Sequence, residues 1–228
     1  MLVNVVLAIL TQHHTTVSVP DFTNLSYTEA CEVASRNHIR VEIGDSVYVR
    51  QMKRGAVFSQ NPKAGTQVKK GRRILLTTNA VNAKKVGMPS LVGCSMRQAK
   101  AELASKGLTL GRLTYVDDIA TNNVLSQLYR NRQVRPGTKL DSGSVIDLVL
   151  GLNPEDSDAY MPDVQGMKFL RAVDIVKDNS LNIGRLEFDK AVKNYSDSLN
   201  AVVYRQSPEA NGANLPKGSE VTLYLRLE

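Results

Sequence analysis

Val19-Pro20-Asp21-Phe22-Thr23-Asn24, Met88-Pro89-Ser90-Leu91-Val92-Gly93 and Met161-Pro162-Asp163-Val164-Gln165-Gly166 open three stretches of the 228-residue chain alike. Their prolines stand 69 and 73 residues apart (89 − 20 and 162 − 89). A period of that size points to a small unit repeated three times rather than to one large domain. Asn24, Gly93 and Gly166 are residue types that accept the positive φ of a turn. Leu25, Cys94 and Met167 then fill one apolar slot.

The next residues predict a helix. Ser26-Tyr27-Thr28-Glu29 and Ser95-Met96-Arg97-Gln98 fit a capping box, in which Ser accepts from the N3 amide and Glu or Gln reaches back to the Ser amide. The third copy has Lys168 at that place, which predicts a weaker start by about 1 kcal/mol. Ala30, Ala99 and Ala172, each followed four residues later by Ala34, Leu103 or Val176, give the helix one apolar face. The helices are expected to stop at Asn37, Gly107 and Asn179, in the left-handed conformation.

After each stop the apolar period changes to two, at Ile39/Val41/Ile43, Leu108/Leu110 and Leu181/Ile183, as in a strand. Two more strands are read at 56–60 and 73–79, 123–130 and 144–151, and 200–206 and 220–227. Between the members of each pair lies a turn-rich loop marked by Gly65/Gly71, Gly137/Gly143 and Gly212/Gly218. From Gln127 to Gly137 the second copy is longer than the others, and the extra residues, Tyr129 to Gln133, predict a basic protrusion or a longer hairpin. The expected fold class is α+β: three tandem modules in an elongated array, each with one helix on a roughly three-stranded antiparallel sheet. The boundaries follow as an apolar segment at 1–16 and modules at 17–82, 83–152 and 153–228.

The openings quoted above, the helix with its alanine, and Ser59-Gln60-Asn61-Pro62-Lys63-Ala64-Gly65-Thr66-Gln67-Val68-Lys69-Lys70-Gly71 resemble the PASTA domain, which accompanies penicillin-binding proteins and bacterial Ser/Thr kinases. The resemblance covers about 18–228 and rests on three copies in register. It implies a compact module of one helix against a three-stranded sheet, outside the cytoplasmic membrane. It also implies peptidoglycan or muropeptide fragments, β-lactam-like ligands, or cell-wall synthesis proteins as partners, or a spacer with no ligand. The second copy lacks the Asn-Pro-x-Ala-Gly stretch and the third reads Ser207-Pro208-Glu209-Ala210-Asn211-Gly212, so a ligand site confined to that loop would differ among copies.

Composition narrows the chemistry. Trp is absent and aromatics are 5%, which favours several small cores of Val, Leu and Ile; mean hydropathy is −0.22. The net charge of +7 is uneven: Lys+Arg against Asp+Glu is 10 to 5 in 17–82, 10 to 5 in 83–152 and 9 to 12 in 153–228. An anionic partner would therefore meet the first two modules. The low-specificity candidates for ligand binding are Arg50, Lys53 and Arg54, and Arg130, Arg132 and Arg135. Arginine forks suit carboxylates and phosphates, although basic residues also blunt exposed strand edges. Nucleic acid is not an expected partner, because the aromatic signatures of RNA modules are missing.

No enzyme motif occurs. The sequence lacks Ser-x-x-Lys with Lys-Thr-Gly, and it lacks His-Arg-Asp and Asp-Phe-Gly. The pair Gly65/Gly71 is followed by Arg72 rather than by the Lys-Ser/Thr of a phosphate loop. His13, His14 and His38 have no ligand-like neighbours, so no metal, cofactor or catalytic residue is expected, and His38 is read as solvated. Cys31 and Cys94 fall at non-equivalent places in different copies and are expected to be buried free thiols. The apolar run Leu2–Leu10 is shorter than the about 20 residues that span a bilayer, and is read as the trimmed end of a membrane anchor, against a signal-peptide core or a packing strand.

Overall fold

The computed structural model describes residues 16–212 and 214–227. The apolar run at Leu2–Leu10 lies outside them. Among the described residues no helix is long and apolar enough to cross a membrane. The described residues fall into two compact units, divided between Asn82 and Ala83.

The first unit holds β1 (Thr16–Ser18), α1 (Tyr27–Arg36), β2 (Arg40–Val47), β3 (Val57–Asn61), β4 (Gln67–Lys69) and β5 (Arg73–Asn79). The second holds the plan twice. Its first copy is β6 (Lys85–Gly87), α2 (Met96–Ser105), β7 (Thr109–Asp117), β8 (Val124–Tyr129), β9 (Arg132–Gln133), β10 (Lys139–Asp141) and β11 (Val145–Leu152). A 3₁₀ turn at Pro154–Asp156 leads to β12 (Asp158–Tyr160), α3 (Phe169–Asp178), β13 (Asn182–Phe188), α4 (Tyr195–Asn200), β14 (Val202–Ser207), β15 (Asn214–Pro216) and β16 (Glu220–Arg226). The α+β class and the repeated plan are as the sequence implies. The short helix α4 and the two-stranded ribbons β1/β4, β6/β10 and β12/β15 are additions to it.

One expectation needs correction. The main sheets, ordered β2-β5-β3, β7-β11-β8-β9 and β13-β16-β14, are mixed rather than antiparallel. In each, the strand after the helix runs parallel to the last strand, which lies between it and its antiparallel neighbour. Alternating side chains report which face of a strand is buried and are silent about its direction.

The helix starts match the reading. Ser26 and Ser95 form complete capping boxes with Glu29 and Gln98, while Lys168 makes no side-chain cap. Glu29 has its pKa lowered by hydrogen bonds from the Ser26 hydroxyl and amide. The second helix ends as expected, with Gly107 left-handed (68°), while the other two ends differ by one residue: Asn37 and Asn179 keep negative φ, and the left-handed residues are His38 (54°) and Ser180 (62°). The Asn37 and Asn179 side chains instead donate to the carbonyls of Val33 and Ile175 at 2.8 and 2.9 Å, ending the helix from the side.

Three separate cores result. They centre on Phe22, Ile74 and Leu76, on Leu91, Leu103 and Leu148, and on Val164, Val176 and Leu223. Ala30, Ala99 and Ala172 are fully buried, as the close approach of helix to sheet requires. The thiols of Cys31 and Cys94 are free but half-buried rather than buried. His38 is exposed.

Candidate binding site

Each opening turn is held by one glutamine. The Gln60 Oε1 accepts from the Phe22 amide at 2.7 Å and its Nε2 donates to the Pro20 carbonyl at 2.9 Å. Gln206 does the same with Val164 and Pro162, at 2.8 and 2.9 Å. Gln127 accepts from Leu91 at 2.9 Å, but its amide group donates to the Val134 carbonyl, also at 2.9 Å. In the second module the clamp therefore grips the segment that carries the extra residues.

Those residues form a hairpin. Leu128 pairs with Gln133 and Tyr129 with Arg132, and the two turn residues, Arg130 and Asn131, both have positive φ, 52° and 60°. Two left-handed residues in a two-residue loop make a type I′ turn, which matches the twist of the strands. The turn is built without the usual glycine, and the Arg130 guanidinium lies 5.1 Å over the Tyr129 ring.

Arg130, Arg132 and Arg135 are all exposed, and none forms an ion pair among the described residues. They border two shallow depressions. One, of about 520 Å³, is lined by Tyr129, Arg130, Arg132, Gln133 and Val134. The other, of about 340 Å³, is lined by Val92, Gln127, Gln133, Val134, Arg135 and Pro136. Three guanidiniums, one ring and the half-exposed side chain of Val92 line these depressions, groups suited to charge-assisted hydrogen bonds and to apolar contact.

The first-unit candidates are placed differently. They lie on the β2–β3 connection, which wraps around the buried Asn79: its Oδ1 accepts from the Val49 amide and its Nδ2 donates to the Val49 and Met52 carbonyls, at 2.7, 2.9 and 2.8 Å. Arg54 is committed to that fold: it donates to Tyr48 Oη at 2.7 Å and to the Val81 carbonyl at 3.0 Å, with its guanidinium 4.2 Å over the Tyr48 ring. Arg50 and Lys53 are exposed.

Two features escaped the sequence reading. The glutamine clamp had a signal: Gln recurs at the head of each loop although the spacings differ. A second set of braced arginines had none: in the acidic third module, Arg205 lies 3.8 Å over Tyr224 and Arg226 lies 5.5 Å over Tyr204. No group of three or more His, Cys, Asp or Glu residues placed to hold a metal ion occurs among the described residues.

The family model of the PASTA domain matches residues 17–80, 86–152 and 159–226. Among curated proteins, a probable serine/threonine-protein kinase of Clostridium acetobutylicum is 28% identical over 211 residues, covering 92% of this chain and 30% of that protein. The serine/threonine-protein kinase PrkC of Bacillus subtilis is 26% identical over 218 residues, covering 92% of this chain and 31% of its own length. The chain thus spans about a third of the length of these relatives. Among solved structures, the entire extra-cellular region of the Ser/Thr kinase PrkC from Staphylococcus aureus is similar at 18% identity and TM-score 0.38, covering 92% of this chain and 71% of that one. The three-PASTA-domain of a Ser/Thr kinase from the same organism is similar at 20% identity and TM-score 0.35, covering 93% of this chain and all of that one.

Proposed function

We propose, since the chain belongs to the PASTA family, that it is a non-catalytic, extracytoplasmic array whose modules, with boundaries at 17–82, 83–152 and 153–228, contact peptidoglycan or its muropeptide fragments. The observation that carries this reading is the hairpin of the second module, where Arg130, Arg132 and Arg135 lack carboxylate partners among the described residues and border two adjoining depressions. Wall polymer offers carboxylates on its peptide stems, and a shallow, open cationic surface suits a long polymer better than a small enclosed ligand. Arg50 and Lys53 are a second, weaker contact, and Arg54 serves the fold.

Sedimentation of the purified chain with isolated peptidoglycan at physiological salt tests this. Retention is the expected result. An unbound chain, or one released by a modest rise in salt alone, rejects it.

A second reading, a spacer or protein-interaction rod without a small ligand, is favoured by the polar joint between the second and third modules, where Asn182 and Lys177 hydrogen-bond the edge of β7. It expects that an unrelated domain of equal length can replace a module without loss of function.

A further inference from the structure

The third module is seated on the second through the edge of one strand. Asn182, 2% exposed, accepts from the Leu113 amide at 2.9 Å and donates to the Leu113 and Gly218 carbonyls, both at 2.8 Å. One side-chain amide thus reads the N–H and the C=O of one β7 residue, as a neighbouring strand would. Lys177, 7% exposed at the end of α3, donates to the Gly111 carbonyl at 2.6 Å and to Asn182 Oδ1 at 2.8 Å. Around this pair, Arg112 meets Glu220 at 2.9 Å, and Lys100 meets Asp178 and Asp174 at 2.7 and 3.2 Å.

The acceptor is a strand backbone, so its equivalent can be found in the third module by register. Thr109 and Leu110 pair with Val145 and Ile146, a bulge follows, and Leu113 pairs with Leu148 and Tyr115 with Leu150. Asn182 and Ile183 pair with Glu220 and Val221, a bulge follows, and Leu186 pairs with Leu223 and Phe188 with Leu225. Gly111, Leu113 and Tyr115 therefore correspond to Gly184, Leu186 and Phe188. The glycine is needed in both: a Cβ on Gly111 would strike the Asp147 carboxylate, and one on Gly184 would lie 2.8 Å from Glu220 Cβ. The difference is cover. Leu113 is 1% exposed and Tyr115 lies against Gly218, whereas Leu186 is only half-buried and Phe188 is 38% exposed at the sheet edge.

We infer that the outer edge of β13, at Gly184, Leu186 and Phe188, is a docking surface for a further module of the same kind joined in tandem. That module would end its helix in a lysine and begin its next strand with an asparagine, as Lys177 and Asn182 do. The first and second modules have Ser35 with Arg40 and Ala104 with Thr109 at these places, so among the three only the third carries the pair. An acidic residue in the partner at the place of Glu220 would meet Arg185, as Glu220 meets Arg112.

The test extends the full chain by a second copy of residues 153–228 placed after residue 228 and follows amide hydrogen exchange. The Leu186 amide is expected to slow about tenfold or more, toward the rate of Leu113. K177M together with N182A in the appended copy should abolish that slowing, while the appended core amides stay protected. An appended copy that folds but leaves Leu186 exchanging as before contradicts the inference, and so does one that fails to fold beside this edge. Concentration-dependent protection of Leu186 in the unextended chain would assign the edge to a second copy and overturn the tandem form.

Discussion

Lys177 shows what a buried charge does at a joint. Burial pushes its pKa down from 10.5 to about 8, against the attraction of Asp147 and with the repulsion of Arg112. The folded chain therefore loses this proton near pH 8, while the unfolded chain holds it to about 10.5. Between those values the unfolded state binds more protons, so stability of the second unit rises with pH. Denaturant unfolding between pH 7 and 9.5 should show this rise in the parent chain and lose it in K177M. The window stops short of Tyr115, whose pKa burial raises to about 12 and whose effect above pH 10 has the opposite sign. Gln127 is 1% exposed. Gln127→Ala leaves the Leu91 N–H and the Val134 C=O without partners, and should lower the stability of the second unit by about 2–4 kcal/mol in denaturant unfolding.

At the scale of elements, the three equivalent helices α1, α2 and α3 form an internal control. Ser26→Ala and Ser95→Ala should each cost about 1 kcal/mol, and Lys168→Asp should gain about as much, because only the third helix starts without a side-chain cap. Thermal unfolding of the three variants checks the sign of each. These helix starts were legible in the sequence because capping is local: Ser26 and Glu29 are three residues apart. The cores were legible for the same reason, through the spacing of Ala30 and Ala34. The direction of β2 against β5 was not, since Arg40 and Arg73 meet only once the sheet exists. The hairpin was half legible. Loop length exposed its presence, but Arg130-Asn131 lacks the Gly that announces a type I′ turn. Arg54 was legible as a basic residue and illegible as a brace, because its partners Tyr48 and Val81 are brought to it by the fold. The joint could not be read at all: Lys177 and Asn182 look like an ordinary helix end until Gly111 and Leu113 lie beside them.

At the scale of the whole molecule, net charge and site are different quantities. The surplus of Lys and Arg in 17–82 and 83–152 is the same, 10 against 5, yet the hairpin arginines are confined to the second module. The acidic third module still braces Arg205 and Arg226 on tyrosines. Binding driven by charge alone would therefore respond to any lost arginine, and binding at a site would not. The most direct measurement compares the affinity of two triple variants for soluble muropeptide fragments at physiological salt: Arg130→Ala/Arg132→Ala/Arg135→Ala and Arg185→Ala/Arg205→Ala/Arg226→Ala. Both remove three positive charges. Binding at the hairpin predicts a loss of about tenfold or more for the first and less than about twofold for the second, as loss of charge-assisted contacts worth about 0.5–1 kcal/mol each would give. Equal losses in the two, or none in the first, would contradict it.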